Sequence, residues 1–337
     1  MKYDQQIIIG ESPAFLEIIE QASRAARHDR PVLVIGERGT GKELIASRLH
    51  FLSPRWEQKF VQVNCAALPD TLLESELFGH EAGSFTGAQG KRIGRFEEAD
   101  KGTIFLDEIA TTSLSAQEKI LRITEYGTFQ RVGSNKTIHT DVRIIGAANI
   151  DLPSAAEAGD FRHDLLDRLA LDVITLPSLR HRKEDILILA IHFGQKIAQE
   201  VGWESFPGFS ESVIEMLLEH TWPGNVRELK NVIERAVYYS ENEFHPIEGV
   251  LLDPFNSPYR PSTVSSKHKV KIQKEIKPET AIFNEPLDFQ ESLENHEKEL
   301  LHHALNKSKF NQKEAAKFLN LNYHQLRHQL KKHNLLS

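Results

Sequence analysis

Residues 32–43 read Val32-Leu33-Val34-Ile35-Gly36-Glu37-Arg38-Gly39-Thr40-Gly41-Lys42-Glu43. A short apolar run enters a glycine-rich turn that ends in a lysine, and a helical pattern follows over residues 43–52. Such a turn between a strand and a helix directs successive backbone N–H groups and the positive end of the helix at one point, where an anion can bind. The pattern predicts a site for nucleotide phosphates, with a plain glycine turn as the alternative.

The side chains of this loop set further expectations. Lys42 supplies a positive charge for the β- and γ-phosphates of ATP. Glu43 stands where the common P-loop pattern has Ser or Thr as a ligand of Mg²⁺, so the cation needs another ligand or a bridging water. The candidate ATP-binding residues of the loop are Gly36, Glu37, Arg38, Gly39, Thr40, Gly41, Lys42 and Glu43.

A second apolar run, residues 103–106, ends in the two acids Asp107 and Glu108. The carboxyl ends of strands in α/β sheets are where ligands bind. Asp107 can hold Mg²⁺ and Glu108 can polarise the water that attacks the γ-phosphate. Many strands end in solvated acids, but a P-loop about 65 residues upstream turns this pair into a prediction of ATP hydrolysis.

The arrangement of apolar runs predicts the architecture. Strand-like runs alternate with helical patterns, which favours an α/β fold with a largely parallel sheet, and from about residue 184 only helical patterns remain. Five prolines and little periodicity mark residues 254–286 as a flexible linker. We therefore expect an α/β part over 1–172, a helical subdomain over 173–253, the linker, and a small all-α domain over 287–337.

Composition places the chain in a cytoplasmic setting. Its 337 residues include one cysteine, the N-terminus lacks the features of a signal peptide, and no apolar stretch is long enough to enter a membrane. The net charge is −7, yet residues 307–332 hold seven basic residues and one acid. That polarisation is typical of a DNA-binding tail on an acidic body, although a solvated charged helix fits equally well.

Over residues 7–253 the motifs resemble those of the AAA+ activators of sigma-54-dependent transcription, the bacterial enhancer-binding proteins. The loop at 36–43 is similar to the variant in this family, in which Glu follows the lysine. The run Gly83-Ser84-Phe85-Thr86-Gly87-Ala88 resembles the signature loop Gly-Ala-Phe-Thr-Gly-Ala, with Ser in place of Ala at position 84. The resemblance implies that this loop contacts sigma-54. From the residues alone, a surface turn with Phe85 folded inward is the alternative.

The resemblance also assigns roles around the nucleotide. Asn149 matches the sensor I residue near the γ-phosphate, although Ala148 precedes it where the family often has Thr. Asn64 matches the residue that holds the catalytic glutamate away from water until hydrolysis is triggered. Arg227, in the run 222–229, matches sensor II, which contacts the nucleotide of its own subunit. A second loop, residues 131–137, matches the hairpin that moves with the signature loop.

Two arginines are expected to act between subunits. Arg162 and Arg168 lie in a segment similar to the one that carries the arginine fingers of the family, which reach the γ-phosphate bound by the neighbouring subunit. Spacing alone favours helix-surface arginines in salt bridges. Fingers acting across an interface require a ring, and the family forms hexamers.

The C-terminal segment predicts a helix-turn-helix. A helix over 310–319, a turn over 320–322 and a second helix over 323–333 with a polar and basic outer face resemble the Fis-type domain of this family. Arg327 and Gln325 could read base edges, and Lys331 and Lys332 could bind phosphates; a three-helix packing module is the alternative. The candidate DNA-binding residues are Asn322, Tyr323, His324, Gln325, Arg327, His328, Lys331 and Lys332.

The P-loop begins at Gly36, which leaves no room for an N-terminal receiver or ligand-sensing domain, so we expect control in trans. This layout resembles the phage-shock branch of the family, which is restrained by phage shock protein A, a membrane-stress effector. Trp56 matches the aromatic that contacts the inhibitor, and a Trp packed at a helix end is the alternative.

Three functions are compatible with these motifs. The first is an ATP-driven activator of the sigma-54 RNA polymerase holoenzyme that binds upstream enhancer DNA, here of a phage-shock operon. The second is a DNA-binding regulator that lost its coupling to sigma-54, against which five of six signature-loop positions match. The third is a general AAA+ remodeller such as a helicase or its loader, which the helix-turn-helix disfavours. The motifs favour the first.

Overall fold

The computed structural model describes residues 8–84, 90–240, 243–257, 259, 289–308 and 311–333. The chain divides into two compact units, residues 1–260 and 261–337. Within the expected linker, residue 258 and residues 260–286 lie outside the described part of the chain.

The described part of the first unit holds a five-stranded parallel sheet and a short antiparallel ribbon. The strands are β1 (Val32–Ile35), β2 (Phe60–Asn64), β3 (Thr103–Asp107), β4 (Thr128–Gln130), β5 (Thr137–His139), β6 (Arg143–Ala148) and β7 (Val173–Thr175). The sheet has the order β2-β3-β6-β1-β7, and β4 pairs with β5. The parallel α/β architecture expected from the sequence is confirmed.

Helices cover both faces of this sheet. They are α1 (Pro13–Ala26), α2 (Lys42–Phe51), α3 (Asp70–Phe78), α4 (Arg95–Glu98), α5 (Leu114–Tyr126), α6 (Leu152–Glu157) and α7 (His163–Leu169). One apolar cluster joins the sheet to α1 and α2, and another joins it to the remaining helices. Strands covered on both faces read as continuous apolar runs, which is why β6 is buried at every residue. Each fully buried Ile or Leu contributes about 1.5–3 kcal/mol.

The edge strand β7 lies just past residue 172, where the α/β part was expected to end. Its residues pair with β1, with Val34 opposite Ile174, so the α/β layer extends to Thr175 rather than ending at 172. Ile174 is fully buried while its two neighbours are exposed. A three-residue strand with one buried side chain gives almost no periodic signal, which is why the sequence pattern missed it.

Three helices form the lid, the helical subdomain that follows the sheet: α8 (Glu184–Val201), α9 (Glu211–Glu219) and α10 (Asn225–Tyr238). They pack around Trp222, which is fully buried and donates its indole N–H to the carbonyl of Leu217 at 2.8 Å. A short 3₁₀ turn, Leu179–His181, connects β7 to α8. This turn and the start of α10 adjoin the glycine-rich loop.

The second unit contains α11 (Phe289–Lys307), α12 (Gln312–Phe318) and α13 (Tyr323–Lys332). Asn311 caps α12 and Asn322 caps α13 through side-chain oxygens that accept backbone N–H groups, as caps of this type do. Leu326 and Leu330 face the small core, as expected. Among the described residues of the whole chain, no helix is both long and apolar enough to cross a bilayer.

Candidate functional site

The glycine-rich loop joins β1 to α2. Gly39 and Gly41 adopt φ values of 77° and 101°, a region that residues with a Cβ rarely enter. The ammonium group of Lys42 donates to the carbonyls of Gly36 at 2.9 Å and Glu37 at 3.3 Å. Burial lowers the pKa of Lys42, and the nearby Asp107 and Glu108 partly offset that effect. The loop thus holds a buried cation at the start of a helix, as a phosphate site requires.

The acidic pair lies at the carboxyl end of β3. The N–H of Glu108 donates to Oδ1 of Asp107 at 3.0 Å, and Glu108 itself has a left-handed φ of 54°. That unusual conformation turns the Glu108 side chain back toward the loop, where its Oε1 lies 3.5 Å from Nε of Arg38. The amide of Asn149, just past the end of β6, donates to the same Oε1 at 3.1 Å. The structure therefore brings Glu108, Asn149 and Arg38 together.

The Asn64 side chain is hydrogen-bonded within its own turn. Asn64 lies opposite Asp107 in the β2–β3 register, and its Oδ1 accepts the N–H of Ala66 at 2.9 Å and caps the 3₁₀ turn that follows β2. In this structure no hydrogen bond joins Asn64 to Glu108, because the Asn64 side-chain oxygen accepts a backbone N–H two residues away. Asn149 is the amide that holds the glutamate in this structure.

The two candidate arginine fingers are paired on the surface. Arg162, immediately before α7, donates to both carboxylate oxygens of Asp164, at 3.0 and 2.7 Å. Arg168, on α7, donates to Glu125 at 2.8 Å. Both are partly exposed, so a neighbouring subunit could be reached only if these intrachain partners were exchanged.

The described part of the signature loop ends at Ser84; Phe85, Thr86, Gly87 and Ala88 lie outside the described residues. The base of this loop is joined to the second loop. The N–H of Glu81 donates to the carbonyl of Val132 at 3.1 Å, and Arg131 forms ion pairs with Glu81 and Glu97. These bonds raise the pKa of Arg131, with Glu97 as the largest contributor. The two loops therefore share one hydrogen-bonded base.

The lid contributes Arg227 to the site. Arg227 and Arg38 line a cavity of about 600 Å³ that extends along α10 as far as Phe255. Gly39 packs so closely on the lid that a Cβ there would lie 2.3 Å from the carbonyl oxygen of Gly224. Arg227, the expected sensor II residue, thus lies beside the P-loop and lines this cavity.

Three lid residues that sequence reasoning missed hold the P-loop. Asn225, at the start of α10, donates to Glu37 and to the carbonyl of Arg38, and Arg182 donates to the carbonyl of Thr40. Arg180 forms an ion pair with Glu37 and, together with the bond from Asn225, lowers the pKa of Glu37 to about 2. Only the Pro-Gly-Asn run before α10 could have signalled this, because asparagine tolerates left-handed turns.

Trp56 lies in the turn after α2 and is 56% exposed. Phe51 and Leu52 are also largely exposed beside it in sequence, so the alternative of a Trp packed at a helix end does not hold. An exposed Trp among exposed apolar neighbours is typical of a protein contact surface.

The predicted DNA-contacting residues are exposed, but four of them already have partners within the second unit. Asn322 accepts the N–H of Gln325, and Tyr323 donates its hydroxyl to Gln312. Gln325 accepts the N–H of Asn322 at 3.0 Å as part of the cap of α13, and Lys332 donates to Glu297 at 2.9 Å. Arg327, His328 and Lys331 remain open to solvent on the outer face of α13. The outward face is therefore basic, and Arg327 supplies its guanidinium.

The fold and the site together define a AAA+ ATPase. Its α/β part carries a P-loop, a strand ending in Asp107 and Glu108, and a helical lid that touches the loop. Family models match in the same order: a sigma-54 interaction domain over residues 8–175, a AAA+ ATPase lid domain over 180–253, and the Fis family of bacterial regulatory proteins over 292–333.

One of the known relatives covers nearly the whole chain. The chain is 49% identical to the Psp operon transcriptional activator of Escherichia coli over 97% of this chain and 98% of that protein. It is 50% identical to a Nif-specific regulatory protein of Azotobacter vinelandii over 71% of this chain, but spans only 45% of that protein. The chain therefore belongs to the family of AAA+ activators of sigma-54-dependent transcription. Its fold is also similar to that of NtrX from Brucella abortus with bound ATP, with a TM-score of 0.69 and 30% identity over 97% of this chain and 70% of that chain.

Proposed function

We propose that this protein couples ATP hydrolysis to the opening of promoters by sigma-54 RNA polymerase. The observation that carries the proposal is the placement of Glu108. It lies beside the P-loop, held by Asn149 and Arg38, in a unit whose signature-loop base is joined to the second loop. Similarity to the Psp operon activator over nearly the full length supports a phage-shock operon as the target.

At the nucleotide, each described side chain has a task. The loop N–H groups and Lys42 bind the β- and γ-phosphates, and Arg227 contacts the nucleotide from the lid. Glu108 polarises the attacking water. The bond from Asn149 to Oε1 fixes the direction in which Glu108 presents its carboxylate. The bond must rearrange if Asn64 is to take over the glutamate in another nucleotide state.

The donor set fits Mg²⁺. Asp107 has one carboxylate oxygen engaged by the N–H of Glu108 and a second that accepts no hydrogen bond from the described residues. Mg²⁺ is commonly held by one or two carboxylates together with phosphate oxygens and water. When bound, the cation neutralises charge that develops on the phosphates.

The proposed function also requires contacts with neighbouring subunits, with DNA and with partner proteins. Arg162 and Arg168 leave Asp164 and Glu125 to reach the γ-phosphate of the adjacent subunit, and the chain assembles as a hexamer. The outer face of α13 binds enhancer DNA, and the signature loop, with Phe85 and Thr86, contacts sigma-54. Trp56 is the contact for an inhibitor acting in trans, phage shock protein A.

Trapping on sigma-54 tests this function. With ADP–aluminium fluoride, which mimics the transition state of hydrolysis, we expect a stable complex with purified sigma-54. Thr86→Ala should abolish the complex and retain ATPase activity. ATPase activity with no trapped complex in the unaltered protein would favour the regulator that lost its coupling to sigma-54.

A further inference from the structure

The lid holds three consecutive carbonyl groups of the P-loop. The carbonyl of Arg38 accepts from Nδ2 of Asn225 at 3.0 Å. The carbonyl of Gly39 accepts the N–H of Val226 at 3.0 Å. The carbonyl of Thr40 accepts from the guanidinium of Arg182 at 3.1 Å. Every donor in this set comes from the lid, and every acceptor is a backbone group of the loop.

These bonds fix the direction of the loop N–H groups. In a trans peptide the C=O of one residue and the N–H of the next point in opposite directions. Carbonyls held by the lid therefore turn the N–H groups of Gly39, Thr40 and Gly41 away from it. Within the described part of the chain these three N–H groups donate no hydrogen bond. Unpaired donors aimed to one side form the nest that binds an anion.

We propose that Asn225 and Arg182 are positioning residues for nucleotide binding, which aim the P-loop N–H groups at the phosphates by holding the loop carbonyls. The proposal rests on ATP binding at this loop. It makes the position of the lid a determinant of phosphate affinity, because a lid that moves takes the three carbonyl contacts with it.

The burial, backbone conformation and hydrogen bonds of Asn225 suit this positioning role. Asn225 is fully buried, and its left-handed φ of 54° is one that asparagine tolerates better than most residues. Its Oδ1 accepts the N–H of Leu179 at 2.8 Å, while its Nδ2 also lies 3.1 Å from Glu37. One side chain therefore joins the turn before α8, the start of α10 and the loop.

Arg182 follows the 3₁₀ turn Leu179–His181 and donates to the loop at Thr40. Its guanidinium is buried and packs over the ring of Phe15 at 4.7 Å from the ring centroid. Its Nε has no hydrogen-bond partner, and the carboxylate of Asp185, 3.9 Å away, is already bound by Ser12. The bond to Thr40 is thus the closest polar contact of this cation, which is expensive to bury for packing alone.

The test is the kinetic effect of Asn225→Asp. Aspartate keeps the shape, the left-handed backbone and the bond from Leu179, but it cannot donate to Arg38 or Glu37. We expect the KM for ATP and the Kd for a fluorescent ADP analogue to rise about tenfold, the scale of one or two lost hydrogen bonds, with kcat within about threefold. Adding Glu37→Gln should recover part of the affinity, because it removes the repulsion between two carboxylates.

Asn320→Asp is the matched control. It is the same exchange at another asparagine with a positive φ, 56°, in the second unit, and we expect unchanged KM and Kd. If Asn225→Asp does not fold, Arg182→Met supplies the second variant. Methionine keeps the length and the contact with Phe15 while removing the donor to Thr40, and the same rise in KM is expected.

A KM and a Kd within twofold of the unaltered protein, in a folded variant, would overturn the proposal, and so would a fall in kcat at constant KM. The binding measurement separates this inference from the proposed function. If the affinity for ADP depends on Asn225 but the protein opens no promoter, the inference is supported and the proposed function is contradicted.

Discussion

Glu108 illustrates how much of the chemistry depends on single side chains. Its left-handed backbone, its bond from Asn149 and its proximity to Arg38 together place its carboxylate beside the P-loop. The acid itself was predictable because the strand that delivers it is local in sequence. Its partner was not, because Asn64 and Asn149 both lie at the carboxyl ends of strands and only the folded chain shows that Asn64 bonds the N–H of Ala66.

His50 makes stability depend on pH at the residue scale. Burial, with a contribution from Arg143, lowers the pKa of His50 to about 4. In the unfolded chain His50 takes up a proton near pH 6.5, whereas in the folded chain it does so only near pH 4. The free energy of unfolding therefore falls as the pH drops from 6.5 toward 4. Between pH 7 and pH 5 we expect a loss of about 2 kcal/mol.

Urea unfolding at the two pH values measures this loss. In His50→Asn, whose amide can replace the ring nitrogen that bonds Thr103, the contribution should disappear. An equal loss in both proteins would show that the pKa of His50 is the same in the folded and the unfolded chain.

Trp56 gives a second residue-scale prediction. We expect Trp56→Ala to relieve inhibition by phage shock protein A. Basal ATPase activity should not change, because the Trp56 side chain is exposed and lies outside the P-loop. Pull-down and ATPase assays with the purified inhibitor measure both. Unchanged inhibitor binding would exclude this surface.

At the scale of elements, the proposed function requires the paired loops to transmit hydrolysis to sigma-54. Gly133, in the second loop, has a φ of 76°, and a Cβ there would lie 2.6 Å from Cβ of Ser84. We expect Gly133→Ala to lower sigma-54-dependent transcription at least about tenfold with ATPase activity within about threefold, because it forces the loops apart. Single-round transcription and phosphate release measure the two quantities.

Gly159→Ala is the control for this prediction. Gly159 has a similar φ of 81°, but a Cβ there meets nothing within 4 Å, so the control carries the backbone strain alone, about 1–2 kcal/mol. Equal transcription in the two variants would mean that the contact between the loops does not transmit the signal.

Secondary-structure elements and motifs could be predicted where their sequence pattern is continuous and local. The P-loop, β3 and the helix-turn-helix were identified because each is a continuous pattern. The strand β7 and the lid contacts of Asn225 were not, since a three-residue strand has no period and the partners of Asn225 lie nearly 190 residues away. The periodicity of a sequence carries no information on contacts between residues that lie far apart in the chain.

At the scale of the whole molecule, the second unit should direct the first to its promoter. Arg327 is exposed on the outer face of α13, and we expect Arg327→Ala to weaken binding to enhancer DNA by about 1–3 kcal/mol and to relax sequence preference. Lys331→Ala should weaken all sequences alike and reduce the salt dependence by about one phosphate contact. Titrations at several salt concentrations distinguish them, and identical profiles would contradict the division between base and phosphate contacts.

The most direct test of the account is promoter opening in vitro with purified sigma-54 polymerase. The unaltered protein with ATP should produce open complexes, whereas a non-hydrolysable ATP analogue, or Glu108→Gln with ATP, should produce none above background, because removal of the group that activates water costs about 10²–10⁴ in rate. Open complexes formed equally well by Glu108→Gln would contradict the claim that hydrolysis at this site drives the reaction.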